Sequence, residues 1–142
     1  MTRRSRKASQ TLVPPGAVVL DCEALSRALS KDREFVAYLA ALKDDGRVFA
    51  ISALTILEAH RGKINRATLD HYLSDVHVID VTEDDARMGV ELLGDRQHGH
   101  KYAIDAAIAA MCIRIRAHQI ITSDSDDMER LLADTGIKVV QL

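Results

Sequence analysis

Five short apolar runs, at residues 17–20, 47–51, 76–81, 120–122 and 138–140, alternate with stretches long enough for one or two helices each. That alternation most constrains the fold. Short β-branched runs closed by polar residues suit strands buried on both faces. Strands joined through helices lie parallel, because a tight hairpin cannot connect them, and their crossovers are right-handed. The expectation is an α/β fold, a single domain with a parallel β-sheet flanked by α-helices. A chain of 142 residues supplies one such core and not comfortably two.

The helices are expected at 22–29, 34–43, 52–61, 64–73, 82–93 and 103–118, with a last one running to about residue 135. Phe35, Leu39 and Leu42 share a face of the second. Ser52 is placed to cap the third, Thr82 with Asp85 forms a capping arrangement for the fifth, and Gly46, Gly62 and Gly136 stand at helix ends. Residues 94–101 read as a polar loop carrying His98 and His100, solvated rather than metal-binding. Residues 1–16 read as a disordered basic tail, with Arg3, Arg4, Arg6 and Lys7. Pro14, Pro15 and Gly16 interrupt the apolar run that a signal peptide would need, and no segment reaches the ~20 apolar residues of a membrane span. Cys22 and Cys112 lie far apart without metal-ligand spacing, as in a reduced, cytoplasmic protein.

Composition narrows the function. Aromatic residues are 4% and tryptophan is absent, which excludes base stacking as the main binding mode. A net charge of -2 excludes a basic whole-domain footprint, so a nucleic-acid partner must meet local patches.

The acids carry the chemistry. Asp21 and Asp124 each follow a strand, at the edge where open α/β sheets bind ligands. Either could simply cap the next helix, and Asp126 and Asp127 then favour its first turn. Glu58 sits in an apolar helix, where it either reaches solvent or meets a cation. Asp105 is the only charge between Tyr102 and Ile113. A buried carboxylate must be protonated, hydrogen-bonded, ion-paired or metal-bound, unless helix-dipole stabilisation in a first turn accounts for it. Four carboxylates from four segments suit a hard divalent cation such as Mg2+; no histidine–cysteine cluster suggests zinc.

The runs Val18-Val-Leu-Asp21, Ser52-Ala-Leu-Thr-Ile-Leu-Glu58, Ile104-Asp105-Ala-Ala-Ile-Ala-Ala and Ile120-Ile-Thr122-Ser-Asp124 resemble the motifs of PIN-domain ribonucleases, and among them VapC-type toxins of bacterial toxin–antitoxin pairs. The likeness spans residues 17–142. It implies a PIN-like sheet, an acidic pocket for Mg2+ or Mn2+, and hydrolysis of RNA phosphodiester bonds. Position by position, Asp21, Glu58, Asp105 and Asp124 match the family's metal-binding and catalytic acids, and Thr122 its neighbouring hydroxyl. The sequence departs at Glu23, where many members carry Ser or Thr, and Asp126 and Asp127 leave the fourth position shared. The resemblance also implies a cognate antitoxin and a homodimer; Phe35, Tyr38, Leu39 and Leu42 supply apolar surface for it. Arg61, Lys63, Arg66, Arg96, Lys101, Arg114 and Arg116 are candidates for RNA contact, each otherwise a solvated charge. Two other readings remain: another Mg2+ α/β enzyme, such as a phosphatase or topoisomerase-primase-like nuclease, and a non-catalytic partner-binding module.

Overall fold

The computed structural model describes residues 13–59, 64–95 and 99–142, with the side chains of 99–101 left aside. Five strands, β1 (Val18–Leu20), β2 (Phe49–Ser52), β3 (His77–Ile79), β4 (Gln119–Thr122) and β5 (Lys138–Gln141), form one sheet in the order β3-β2-β1-β4-β5. Every pairing is parallel. The order follows from right-handed crossovers that run outward from β1 to one side, then return to build the other. The strand order therefore reverses between β1 and β4.

Seven helices are described: α1 (Cys22–Leu29), α2 (Arg33–Asp44), α3 (Ala53–Ala59), α4 (Arg66–Leu73), α5 (Glu83–Leu93), α6 (Gly99–Arg114) and α7 (Ser125–Leu131). Alternate strand residues feed two cores. Val19, Ala50, Ile79 and Ile120 join Ile108, Met111 and Met128 on one side of the sheet. Val18, Leu20, Ile51 and Ile121 join Leu25, Phe35 and Leu69 on the other. Local chemistry sets the helix starts: Asp32 and Asn65 accept from Phe35 N and Thr68 N, and Thr82 with Asp85 closes a reciprocal capping box. Ser52 Oγ accepts from Leu54 N at 3.1 Å, as its position suggested.

Several expectations are corrected. Helix α6 begins at Gly99, inside the segment read as a loop, and ends at Arg114 because residue 116 takes a positive φ of 54°. Residues 13–16 are held rather than disordered: Val13 packs on the core, Gly16 N donates to Arg116 O at 2.9 Å, and Arg47 donates to Gly16 O. Gly16 has φ +95°, a backbone conformation that residues with a Cβ rarely adopt, so the turn favours glycine. Residues 1–12 lie outside the described residues, as do the expected stop at Gly62 and His98. Phe35 and Leu39 are buried in the core and Leu42 packs against it, so of the apolar surface assigned to self-association only Tyr38 is exposed. Conversely, α3 is less buried than its composition implied, with Leu57 67% exposed.

Candidate active site

The carboxyl edge of the sheet at the β1/β4 reversal is built from the main chain outward. The register that pairs Leu20 with Ile121 brings Asp21 level with Thr122. Asp21 N donates to Ile121 O at 3.0 Å, so the residue after β1 is still fixed by β4. Its carboxylate is then held by neutral donors: Cys22 N to Oδ1 at 2.8 Å and Thr122 Oγ1 to Oδ2 at 2.9 Å. Thr122 Oγ1 in turn accepts from Asp124 N at 3.0 Å. One fully buried hydroxyl thus ties the first acid to the main chain of the fourth. Asp21 does cap α1, as the plain reading had it. Asp124 occupies the N-cap position of α7, yet its side chain makes no capping hydrogen bond, so capping does not account for it.

Glu58 is half-buried near the end of α3, and α3 packs on α1. Both Glu58 and Asp21 act on Cys22. Burial pushes that thiol up to about 11, with Glu58, Asp21 and Glu23 adding to the rise in that order. Three carboxylates therefore act on one thiol beside the first strand end. Glu23 itself is exposed. Asp105 reaches the same edge from the other layer. Helix α6 ends at Arg114 and leads into β4 at the amino edge, so its early turns lie over the carboxyl edge. Asp105 is 7% exposed with Oδ2 fully buried, and Ile108 and Ala109 beside it are core. Because α6 starts at Gly99, Asp105 stands in the second turn, beyond the first-turn position where a helix dipole favours an acid most. Cys112, two turns along the same helix face, is raised above the usual thiol range by burial first and Asp21 second.

Asp21 and Asp124 meet at this edge through Thr122, and the helices that carry Glu58 and Asp105 pack on α1 and α7 beside it. Among the described residues no group of three His, Cys, Asp or Glu side chains is set to hold a metal ion. The donors do fit a hard divalent cation, since all are carboxylate oxygens with a buried threonine hydroxyl beside them.

Beyond Asp124 opens a polar cavity of about 350 Å3, lined by Tyr102, Ser123, Ser125, Asp126, Asp127 and Gln141 among others. Asp127 lies 3.9 Å from Arg130. Neither Tyr102 nor Gln141 carried a sequence signal; the register of β5 against β4 brings Gln141 there, paired with Thr122. Of the candidate RNA-contacting cations, Arg114 is committed elsewhere, to Asp85 and to Asp80 O. Arg116 lies at the amino edge, away from the acids. Arg66 opens α4 on the surface, while Arg61, Lys63, Arg96 and the Lys101 side chain fall outside the described residues. A separate apolar groove of about 730 Å3 runs between α2, α4 and the amino ends of β2 and β3 and shares no residue with the acids.

Comparison with known proteins agrees with this architecture. Among solved structures, the chain is similar to VapBC2 from Rickettsia felis bound to a DNA fragment from their promoter, with 20% identity, a TM-score of 0.71 and coverage of 89% of this chain and 98% of that one. It is also similar to a toxin–antitoxin complex from Klebsiella pneumoniae, with 24% identity, a TM-score of 0.65 and coverage of 88% and 97%. A third likeness is to FitAcB from Neisseria gonorrhoeae, at 18% identity, a TM-score of 0.61 and coverage of 87% and 96%. No curated protein sequence matches. The PIN domain family matches residues 18–132, from the first strand through the helix after Asp124, and the chain therefore belongs to the PIN-domain family.

Proposed function

We propose that this PIN-domain protein is a Mg2+- or Mn2+-dependent ribonuclease that hydrolyses RNA phosphodiester bonds, the toxin of a toxin–antitoxin pair. The observation that carries the reading is the way Asp21 is held. It is 9% exposed at the strand-order reversal and, among the described residues, is held by two neutral donors and no cation. A buried acid kept for packing alone would gain from a cation of the protein's own.

Asp21, Glu58, Asp105 and Asp124 would hold the cation, with Asp126 and Asp127 at the rim. A divalent ion there supplies Lewis-acid stabilisation of charge developing on the phosphate oxygens. The chain's part is to orient the carboxylates, through Thr122 for Asp21, and to offer one of them as acceptor for the attacking water's proton. RNA entering this edge is repelled by the acids, so surface cations such as Arg66 would offset that field. Membership of the PIN family favours this reading over a phosphatase or a non-catalytic module.

The partner assignment rests on solved relatives that are toxin–antitoxin complexes. The apolar groove, with Lys31, Arg33, Lys43 and Arg47 among its lining, offers such a partner a seat away from the acids. Cleavage of an RNA panel in Mn2+, with and without EDTA, tests the activity. Wild-type cleavage that EDTA stops and Asp105→Asn nearly abolishes is expected; cleavage that survives both would end the proposal. The antitoxin part fails if no small protein copurifies with the chain or inhibits it.

A further inference from the structure

The main chain around Asp124 is gripped from both sides, and one grip comes from the far end of the sequence. The Gln141 side chain, on edge strand β5, donates from Nε2 to Ser123 O at 3.1 Å and to Leu142 O at 2.8 Å, and accepts at Oε1 from Ser125 N at 3.2 Å. It thus takes up one polar group on each side of Asp124, while Thr122 Oγ1 takes the Asp124 N–H itself. Asp124 has φ -109° and ψ 54° and makes no side-chain cap, so α7 does not dictate where its carboxylate stands. The two-residue link between β4 and α7, Ser123 and Asp124, is held by Thr122 from below and Gln141 from the side.

We infer that Gln141 is a positioning residue for Asp124, holding the fourth acid where it can join the others around a divalent cation. The inference rests on the ribonuclease reading above and extends it to a residue outside the four acids. Its physical basis is preorganisation. Side chains that hold a ligand-bearing segment by hydrogen bonds lower the ordering cost when the ion binds, and their loss typically weakens metal affinity by about 10–100-fold. An amide can do this where a carboxylate or an amine cannot, because the clamp needs a donor and an acceptor on one planar group. Gln141 is exposed, which places the effect toward the low end of that range.

The test uses the full chain and Mn2+. Gln141→Leu replaces the amide with an apolar side chain one bond shorter and removes all three bonds; Val140→Ala weakens the packing of the same strand but leaves the clamp. Mn2+ affinity is measured by calorimetry, and cleavage is followed across a Mn2+ titration. Gln141→Leu is expected to bind Mn2+ about tenfold more weakly and to need correspondingly more for half-maximal cleavage, with the rate recovering at saturation. Val140→Ala should bind Mn2+ like wild type even though it melts lower. Wild-type affinity in Gln141→Leu overturns the inference, as does an equal loss in Val140→Ala, which would mean strand fraying rather than positioning. If wild type itself neither binds Mn2+ nor cleaves RNA, the ribonuclease reading falls and takes this inference with it.

Discussion

Asp85 and Asp21 are both buried acids at the start of a helix, and they are held in opposite ways. Asp85, 2% exposed at the start of α5, meets Arg114 through Nε at 2.8 Å and Nη2 at 3.0 Å and also accepts from Thr82 N at 3.1 Å. Its charge is answered within the protein, and the pair locks the start of α5 to the end of α6. Asp21 has no ion pair among the described residues; an amide and a hydroxyl hold it. The lesson is that burial does not identify a working carboxylate. What distinguishes the two, among the described residues, is that Asp85 meets a cation of the protein's own and Asp21 is held by neutral donors.

The sharpest way to break the comparison is to exchange consequences. Asp21→Asn should lower RNA cleavage by at least ~100-fold, since charge aimed at the reacting centre is worth ~3 kcal/mol or more, and should cost little stability because the amide still accepts from Cys22 N. Asp85→Ala should do the reverse. Removing the capping box and stranding Arg114 costs roughly 2–3 kcal/mol, softened because that guanidinium is 38% exposed. The melting temperature then falls by several degrees while cleavage per folded molecule survives. Two variants that lose activity and stability in equal measure would erase the distinction.

Cation binding sharpens the contrast at a similar scale. A ligand specific to the fold adds about 2.7 kcal/mol at a hundredfold excess over its Kd. Wild type and Asp85→Ala should both melt higher in Mn2+ than in sodium chloride of equal ionic strength, and Asp21→Asn should respond less. A response that tracks Asp85 instead would place the site on the wrong helix.

Smaller effects follow from the groups around Asp21. Thr122→Val preserves shape but leaves Asp21 Oδ2 and Asp124 N without their shared partner, at ~1–2 kcal/mol; melting and cleavage should both suffer, cleavage more. Glu58→Gln should speed alkylation of Cys22 at pH 8, within an order of magnitude, by removing the carboxylate that most opposes its thiolate after burial. An unchanged rate would put Glu58 out of reach of the Cys22 thiol. Smallest is His118 at the amino edge, lowered from 6.5 by partial burial, then by Arg47 and Lys138. The unfolded chain takes up that proton first, so stability drains as pH falls below ~6.5, down to the lowered folded value. His118→Gln should flatten that slope slightly, and an unaltered acid limb would assign it to other groups.

Much of this was legible in the residues. Short apolar runs separated by helix-length segments favour parallel pairing, because each connection is long enough for a crossover helix, and the capping pair of Thr82 and Asp85 is local enough to read directly. Asp105 stood out since a lone charge in an apolar stretch has few inexpensive explanations. What the residues could not supply was anything that depends on two distant segments meeting. The start of α6 at Gly99 was hidden by glycine and histidines that carry weak helix preference. The role of Arg114 depended on α5 lying against α6, and the same guanidinium on another surface would have been free for RNA. Phe35 and Leu39 looked surplus until the sheet face they cover existed. Gln141 could not be connected to Asp124 in sequence at all, because only the pairing of β5 with β4 brings them together. Periodicity, caps and the cost of burying a charge act within a few residues and are read from the chain directly; which partners a buried charge meets is decided by register and helix packing, which act across the whole chain.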